Sequence, residues 1–195
     1  MLTLVPITAA CSGPTVISRA VPVAALVTST TGLPATTVPG TVASSRRFAD
    51  PASPADGDAA KAAVETAYRN AVGAAQEAFA VPDPDYPPLA VYNTGRMLAT
   101  WRDRLVDLRS SGEVGRFPAG SVHRIRVDDI VLSGAATAVV DACEVDDAVV
   151  TVVRSGVIVN DALSSFHNRG ELTLAHGRWQ LSSRTTLLKE RGATC

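Results

Sequence analysis

The sequence predicts an α+β domain with helices first and antiparallel strands after, and three observations carry that prediction. Two stretches place apolar residues at helical spacing: Ala60, Val64, Ala67, Ala71, Ala75 and Phe79, then Met97, Leu98, Trp101, Leu105 and Leu108. Beyond them come short Val-rich segments divided by Ser133-Gly134, Asp146-Asp147 and Arg154-Ser155-Gly156, all turn-forming sequences. Residues 162–188 then read as two strands joined at Ala175-His176-Gly177. On one arm Phe166, Leu172 and Leu174 share a face; on the other Trp179, Leu181, Thr185 and Leu187 alternate with Gln180, Ser182 and Arg184. That is the pattern of a hairpin with one buried face. Helices followed by a run of strands is an α+β order.

At 195 residues the chain has room for one ordinary domain and an extension. Residues 1–10 are apolar and lead into Ala9-Ala10-Cys11-Ser12-Gly13, which resembles the lipobox of bacterial lipoproteins, where the cysteine thiol is acylated. Thr8 stands where that motif has leucine, Pro6 interrupts the run, and no Lys or Arg precedes it. A complete signal peptide has a positive segment and a longer apolar stretch. Residues 1–10 are therefore expected to be a partial signal peptide, with the true start upstream. Residues 11–57 are rich in Ala, Thr, Pro, Ser and Val, with prolines at 14, 22, 34, 39, 51 and 54 that forbid a continuous helix. They are expected to form a disordered, flexible tether, with Cys11 as its lipid-attachment site.

The domain proper is expected over residues 58–195. Asp56 or Asp58 can cap the first helix, which ends before Pro82-Asp83-Pro84 because a residue preceding proline avoids helical geometry. Tyr68 sits at the edge of its apolar stripe. A proline-rich loop follows, then a second helix over residues 94–110 with Gly112 placed to terminate it. Strands are expected at 122–132, 135–145, 149–153 and 157–159, after a turn over 115–120.

Composition excludes some function classes. The formal net charge is −1 with no clustered Lys or Arg, so a nucleic-acid surface is not expected. Aromatic residues make up 5% of the chain, so the core must be built mainly from Val, Leu and Ala. The three cysteines, at 11, 143 and 195, form no C-x-x-C or Cys/His cluster, so no metal site is expected.

The order helix, proline-rich loop (Asp83, Pro84, Asp85, Pro87), helix and meander resembles the cone-shaped nuclear-transport-factor-2-like fold. More narrowly, the context Asp141-Ala142-Cys143-Glu144-Val145-Asp146-Asp147, the Gly177-Arg178-Trp179 turn and the terminal Cys195 resemble uncharacterised actinobacterial envelope lipoproteins of that fold, SnoaL-like in the wider grouping. The resemblance covers residues 58–195 and, through Cys11, the anchor. It implies N-terminal helices packed on a curved antiparallel sheet. It also implies an exported protein on the outer face of the cytoplasmic membrane, held there by lipid. A fold of this kind hosts isomerases, cyclases and many non-catalytic domains, so it decides no activity.

Enzymes of that fold work inside the cone with an acid–base Asp and a hydrogen-bonding Tyr or Trp. Asp141, on a Val-rich strand alternating with Val139 and Cys143, is the weak candidate for the first role, and Tyr68 for the second. Against that, Asp141 reads as a solubilising side chain, and Tyr68, Trp101, Phe166 and Trp179 as residues lining the core or pocket. His123, His167 and His176 have no carboxylate spaced for ligation, and no nucleophile motif or phosphate loop occurs. No cofactor is expected. The leading expectation is a non-enzymatic domain that takes a small apolar ligand or a protein partner. The alternatives are an isomerase- or cyclase-like enzyme using a pocket carboxylate, and an assembly subunit that dimerises through the exposed sheet face. If Cys11 carries lipid, Cys143 and Cys195 remain, in a compartment where disulfides persist, and the chain end can fold back over the sheet to join them.

Overall fold

The computed structural model describes residues 57–195. The expected signal peptide, the tether and Cys11 lie outside the described residues. No helix among the described residues is long and apolar enough to cross a membrane.

Helix α1 (Gly57–Ala80) buries a broader face than its stripe predicts, with Ala63, Val64, Ala67, Tyr68, Ala71, Val72, Ala74, Ala75 and Ala78 all in the core. So many alanines let the helix lie close against the sheet. Tyr68 is fully buried at its centre, not at an edge. A helix the sequence did not predict, α2 (Pro87–Tyr92), follows at once. Its two prolines occupy the first turn, where the backbone N–H would lack a partner in any case. Helix α3 (Gly95–Ser111) turns Met97, Trp101, Leu105 and Leu108 inward and ends at Gly112, whose φ of 67° supplies the left-handed cap. A polar knot joins these helices to the sheet. Asn93, fully buried, donates to the Ala71 carbonyl (3.3 Å) and accepts from Trp101 Nε1 (3.2 Å), while the Thr94 amide donates to the Leu181 carbonyl (2.9 Å).

The strands are β1 (Glu113–Arg116), β2 (Arg124–Leu132), β3 (Thr137–Asp146), β4 (Val149–Val152), β5 (Ile158–Asn160), β6 (Ser164–Ala175) and β7 (Arg178–Arg191). The expected single meander is in fact two antiparallel sheets. The larger runs β2-β3-β6-β7 and the smaller β1-β4-β5, so β4 and β5 leave the main sheet and return the chain through β6 to the open side of β3. Four residues containing a glycine, β1 carried too little periodicity to be told from the turn expected at 115–120.

The β6–β7 hairpin turns where the sequence placed it, at His176 and Gly177 with φ of 51° and 74°. Both values are positive, as a two-residue turn matched to the twist of its strands requires. The expected alternation fails farther along β7. Glu171 pairs with Ser183 but Leu172 with Leu181, leaving Ser182 as an extra residue, and a second irregularity leaves Leu187 extra. Each bulge inverts the phase. Arg184 therefore lies opposite Gly170 on the inner face, and Thr185 and Leu187, expected to be buried, are exposed. The helices pack on that inner face. Gly170 permits the closest approach, since a Cβ there would sit 2.7 Å from the Tyr68 ring and 3.0 Å from Leu181.

On the outer face the C-terminal residues fold back across β3 and β6. Cys143 and Cys195 are joined by a disulfide with 6.0 Å between their Cα atoms. Ser165 Oγ donates to the Gly192 carbonyl and accepts from the Thr194 amide, and Arg124 donates twice to the Cys195 carbonyl oxygen (2.8 and 2.6 Å). This strap keeps Cys143, Val145 and Ser165 buried on a face that otherwise meets solvent.

Candidate functional site

A cavity of about 230 Å³ opens between the helices and the end of the main sheet. One face of α1 supplies Val72, Ala75, Gln76 and Phe79, at the i, i+3, i+4, i+7 spacing that brings side chains into line. From α3 come Trp101 and Arg104; Gly115 and Phe117 close one wall. The floor is made by Glu144, Asp146, Ala148 and Arg184. A second hollow, of about 310 Å³, shares Gln76, Gly115 and Phe117 with the first, so these three residues partition a longer groove.

The polar groups of the cavity form one chain. Arg184 Nη1 lies 2.9 Å from Glu144 Oε2, with only 8% of the Glu144 side chain exposed, and the Arg184 guanidinium sits 5.0 Å from the centre of the Trp101 ring. Gln76 Nε2 donates to Glu144 Oε1 (3.3 Å) and contacts His123 Nε2 (3.0 Å). His123 Nδ1 lies 2.8 Å from the Val145 carbonyl, which only accepts. The hydrogen bonds thus assign the proton to Nδ1 and leave Nε2 to accept from Gln76. The opposite Gln76 orientation would aim an amide oxygen at the Glu144 carboxylate. Phe117 stacks on the His123 ring at 4.4 Å, so the aromatic wall and the hydrogen-bond chain hold each other in place. Both Glu144 oxygens are engaged, and its buried charge is compensated.

The carboxylates at the cavity are Glu144 and, at the strand end, Asp146, which corrects the expectation for Asp141. Inward-facing residues of β3 are Ala138, Val140, Ala142 and Glu144, so Asp141 falls in the opposite phase, on the outer face. There it accepts two hydrogen bonds from Arg169 (2.8 and 2.7 Å), and those bonds hold its carboxyl below the ordinary range. Tyr68 lies in the core beside the site and does not line the cavity. Its hydroxyl is buried and makes no hydrogen bond of good geometry, although Arg184 lies close enough to act on it. Burial pushes its pKa up to about 12, the Arg184 charge opposing the rise and the Glu144 charge adding to it. Trp101 forms a cavity wall and meets Phe79 edge-on at 5.6 Å. Trp179 is buried in the core away from the cavity, with its indole N–H also unpartnered. Phe166, expected in the core, lies outside it: it occupies the far end of the inner face, partly buried, with the Lys189 ammonium 5.0 Å over its ring. Glu144, Arg184 and Gln76 were not singled out from the sequence, and His123 was named there but set aside. Among the described residues no three His, Cys, Asp or Glu side chains converge as metal ligands.

No family model matches the chain, and no curated protein does either. Solved structures do. The intermembrane-space region of the chloroplast protein ARC6 superposes with a TM-score of 0.51 at 22% identity, over 64% of this chain and 95% of that one. A ketosteroid isomerase-like protein from Erwinia carotovora atroseptica gives 0.42 at 15%, over 65% and 95%. A domain with a cystatin-like fold from Nostoc punctiforme gives 0.37 at 14%, over 68% and 79%. Identities this low speak to fold alone: helices packed on antiparallel sheets, an α+β domain.

Proposed function

We propose that this chain is an exported, lipid-anchored envelope protein of the kind its actinobacterial resemblance implies. Its cone domain binds a small, mainly apolar ligand and performs no acid–base chemistry. The observation that carries the binding reading is the state of Glu144. A proton-transfer site needs a carboxylate free to exchange its proton with a ligand, whereas both oxygens of Glu144 are held by Arg184 and Gln76. The remaining walls, Val72, Ala75, Phe79, Trp101 and Phe117, offer apolar and aromatic contact, which suits a pocket that binds by burial and orients by a few polar groups. Export is supported by the disulfide, a bond that persists in oxidising compartments, and by Ala-Ala-Cys-Ser-Gly at residues 9–13.

Two experiments test the two halves. Titrating the full chain with anilinonaphthalene sulfonate and with aliphatic and aromatic acids should change the tryptophan emission saturably, and Trp101→Phe should remove most of that change. Absence of saturable binding by every probe overturns the ligand reading; catalysed proton exchange on ketone substrates that is lost in Glu144→Gln overturns its non-catalytic part. For the anchor, the gene is expressed from an in-frame start upstream of Met1 and the cells are fractionated. Cys11→Ala should move the protein to the soluble fraction; a variant bound as firmly as wild type refutes lipid attachment at Cys11.

A further inference from the structure

The outer face of the main sheet surrounds the Cys143–Cys195 bridge with polar groups that a purely structural crosslink does not need. Cys143 stands opposite Arg126 on β2 and opposite His167 on β6, so both side chains share its face. His167 Nε2 lies 3.6 Å from Cys143 Sγ and 3.4 Å from Glu190 Oε2. A carboxylate and a bonded sulfur only accept, so Nε2 carries a proton and shares it between them. Glu190 Oε2 also accepts from Thr194 Oγ1 (3.0 Å), the residue beside Cys195. The other charged groups on this face are already engaged. Arg126 lies 2.6 Å from Asp128, Asp141 binds Arg169, and Arg124 holds the Cys195 carbonyl.

The two halves of the bridge are not equally placed. Cys143 has no exposed surface, whereas Cys195 is only half-buried, so a thiol arriving from solution meets Cys195. In thiol–disulfide exchange the far sulfur departs as a thiolate, and it departs faster the better that thiolate is stabilised. Imidazolium and arginine neighbours supply such stabilisation, and Cys143 is flanked by both residue types. We propose that this bridge is an exchange site for low-molecular-weight thiols. The thiolate of the small thiol attacks Cys195 Sγ and forms a new S–S bond there. The electron pair of the broken bond goes to Cys143 Sγ. His167 Nε2–H donates to the resulting thiolate, and a charged ring hands over its proton. The small thiol is left on Cys195, which Arg124 and the hydrogen bonds of Ser165 to Gly192 and Thr194 keep in place. Cys143 therefore stays beside the mixed disulfide, and the reverse attack restores the bridge and expels the small thiol. The cycle consumes no oxidant.

Reduced glutathione is the probe, and the full chain carries Cys11→Ser so that no third sulfur competes. Acid quenching and peptide mass mapping should find glutathione on Cys195 and a free thiol at Cys143. The rate should rise linearly with glutathione concentration. Divided by the thiolate fraction of glutathione, it should also rise as the pH falls and His167 becomes charged. His167→Gln keeps a side-chain N–H but cannot charge, and should lower the acid-side rate about tenfold and flatten that profile. Glu190→Gln should shift the rise to lower pH, because the imidazolium loses its carboxylate neighbour. Circular dichroism of each oxidised variant controls for folding. Glutathione found on Cys143, or a bridge inert to millimolar glutathione, overturns the proposal. So does a rate that saturates with glutathione because the fold must open first, or a pH profile that either folded variant leaves unmoved.

Discussion

At Tyr68 a single hydroxyl records how tightly the cone is packed. The folded pKa, about 12, exceeds the ordinary value of 10.0, so the folded state holds the phenolic proton more firmly than the unfolded chain does. The associated stability is complete below pH 10 and is lost as the pH climbs towards 12, a fall of roughly 2–3 kcal/mol. Tyr68→Phe should remove that alkaline loss while leaving stability near pH 7 unchanged or slightly higher, since it deletes a buried hydroxyl that makes no hydrogen bond of good geometry. Urea unfolding across the alkaline range checks both effects, and retaining Tyr86, which is also pushed up to about 12, in both proteins cancels its share. The same ring limits its neighbour. Gly170→Ala forces a Cβ to within 2.7 Å of the Tyr68 ring, which has no free end to swing away, and should cost about 1–3 kcal/mol in the same assay. The Glu144–Arg184 pair makes a third case. Glu144→Leu strands the Arg184 charge and should destabilise by about 3 kcal/mol, whereas Glu144→Leu with Arg184→Met should recover most of that loss in a double-mutant cycle.

Among the elements, those whose apolar pattern holds one period from end to end were legible in the sequence. Both long helices, the Gly112 stop and the His176-Gly177 turn fall where spacing and turn chemistry place them. Elements that break a local rule were not. Pro87 and Pro88 read as loop, because the first helical turn is the one helical place where prolines fit. The bulge at Ser182 reverses the alternation before Arg184, and this hid an arginine that faces the cavity. Glu144 was legible in principle: it continues the inward phase of Ala138, Val140 and Ala142, whereas Asp141 shares its phase with Val139 and Cys143. Gln76 and His123 meet from 47 positions apart, and no local signal announces that contact. The strap made by the last residues is the element most open to test. Its disulfide closes a loop of 52 residues, which the chain-entropy model values at about 4 kcal/mol. Reductant, or Cys195→Ser, should lower the urea midpoint accordingly, and a midpoint unchanged by reduction would show that the strap holds through Arg124 and Ser165 alone.

For the whole molecule, the strap has a mechanical meaning. The Cys143–Cys195 crosslink encloses everything from the end of β3 through β7, so the two sheets and the cavity floor belong largely to a covalent ring. A chain pulled apart between its first helix and its last residue can pay out length only from the part that precedes Cys143. The 52-residue span inside the ring stays hidden from the force, and at about 3.4 Å per residue that is about 180 Å of contour withheld. In an optical trap, reduction should lengthen the fully unfolded chain by that amount. A chain built this way can lose its helices to a tug on its N-terminal side while the ring remains short, so that on release only the part preceding Cys143 has to be gathered in again.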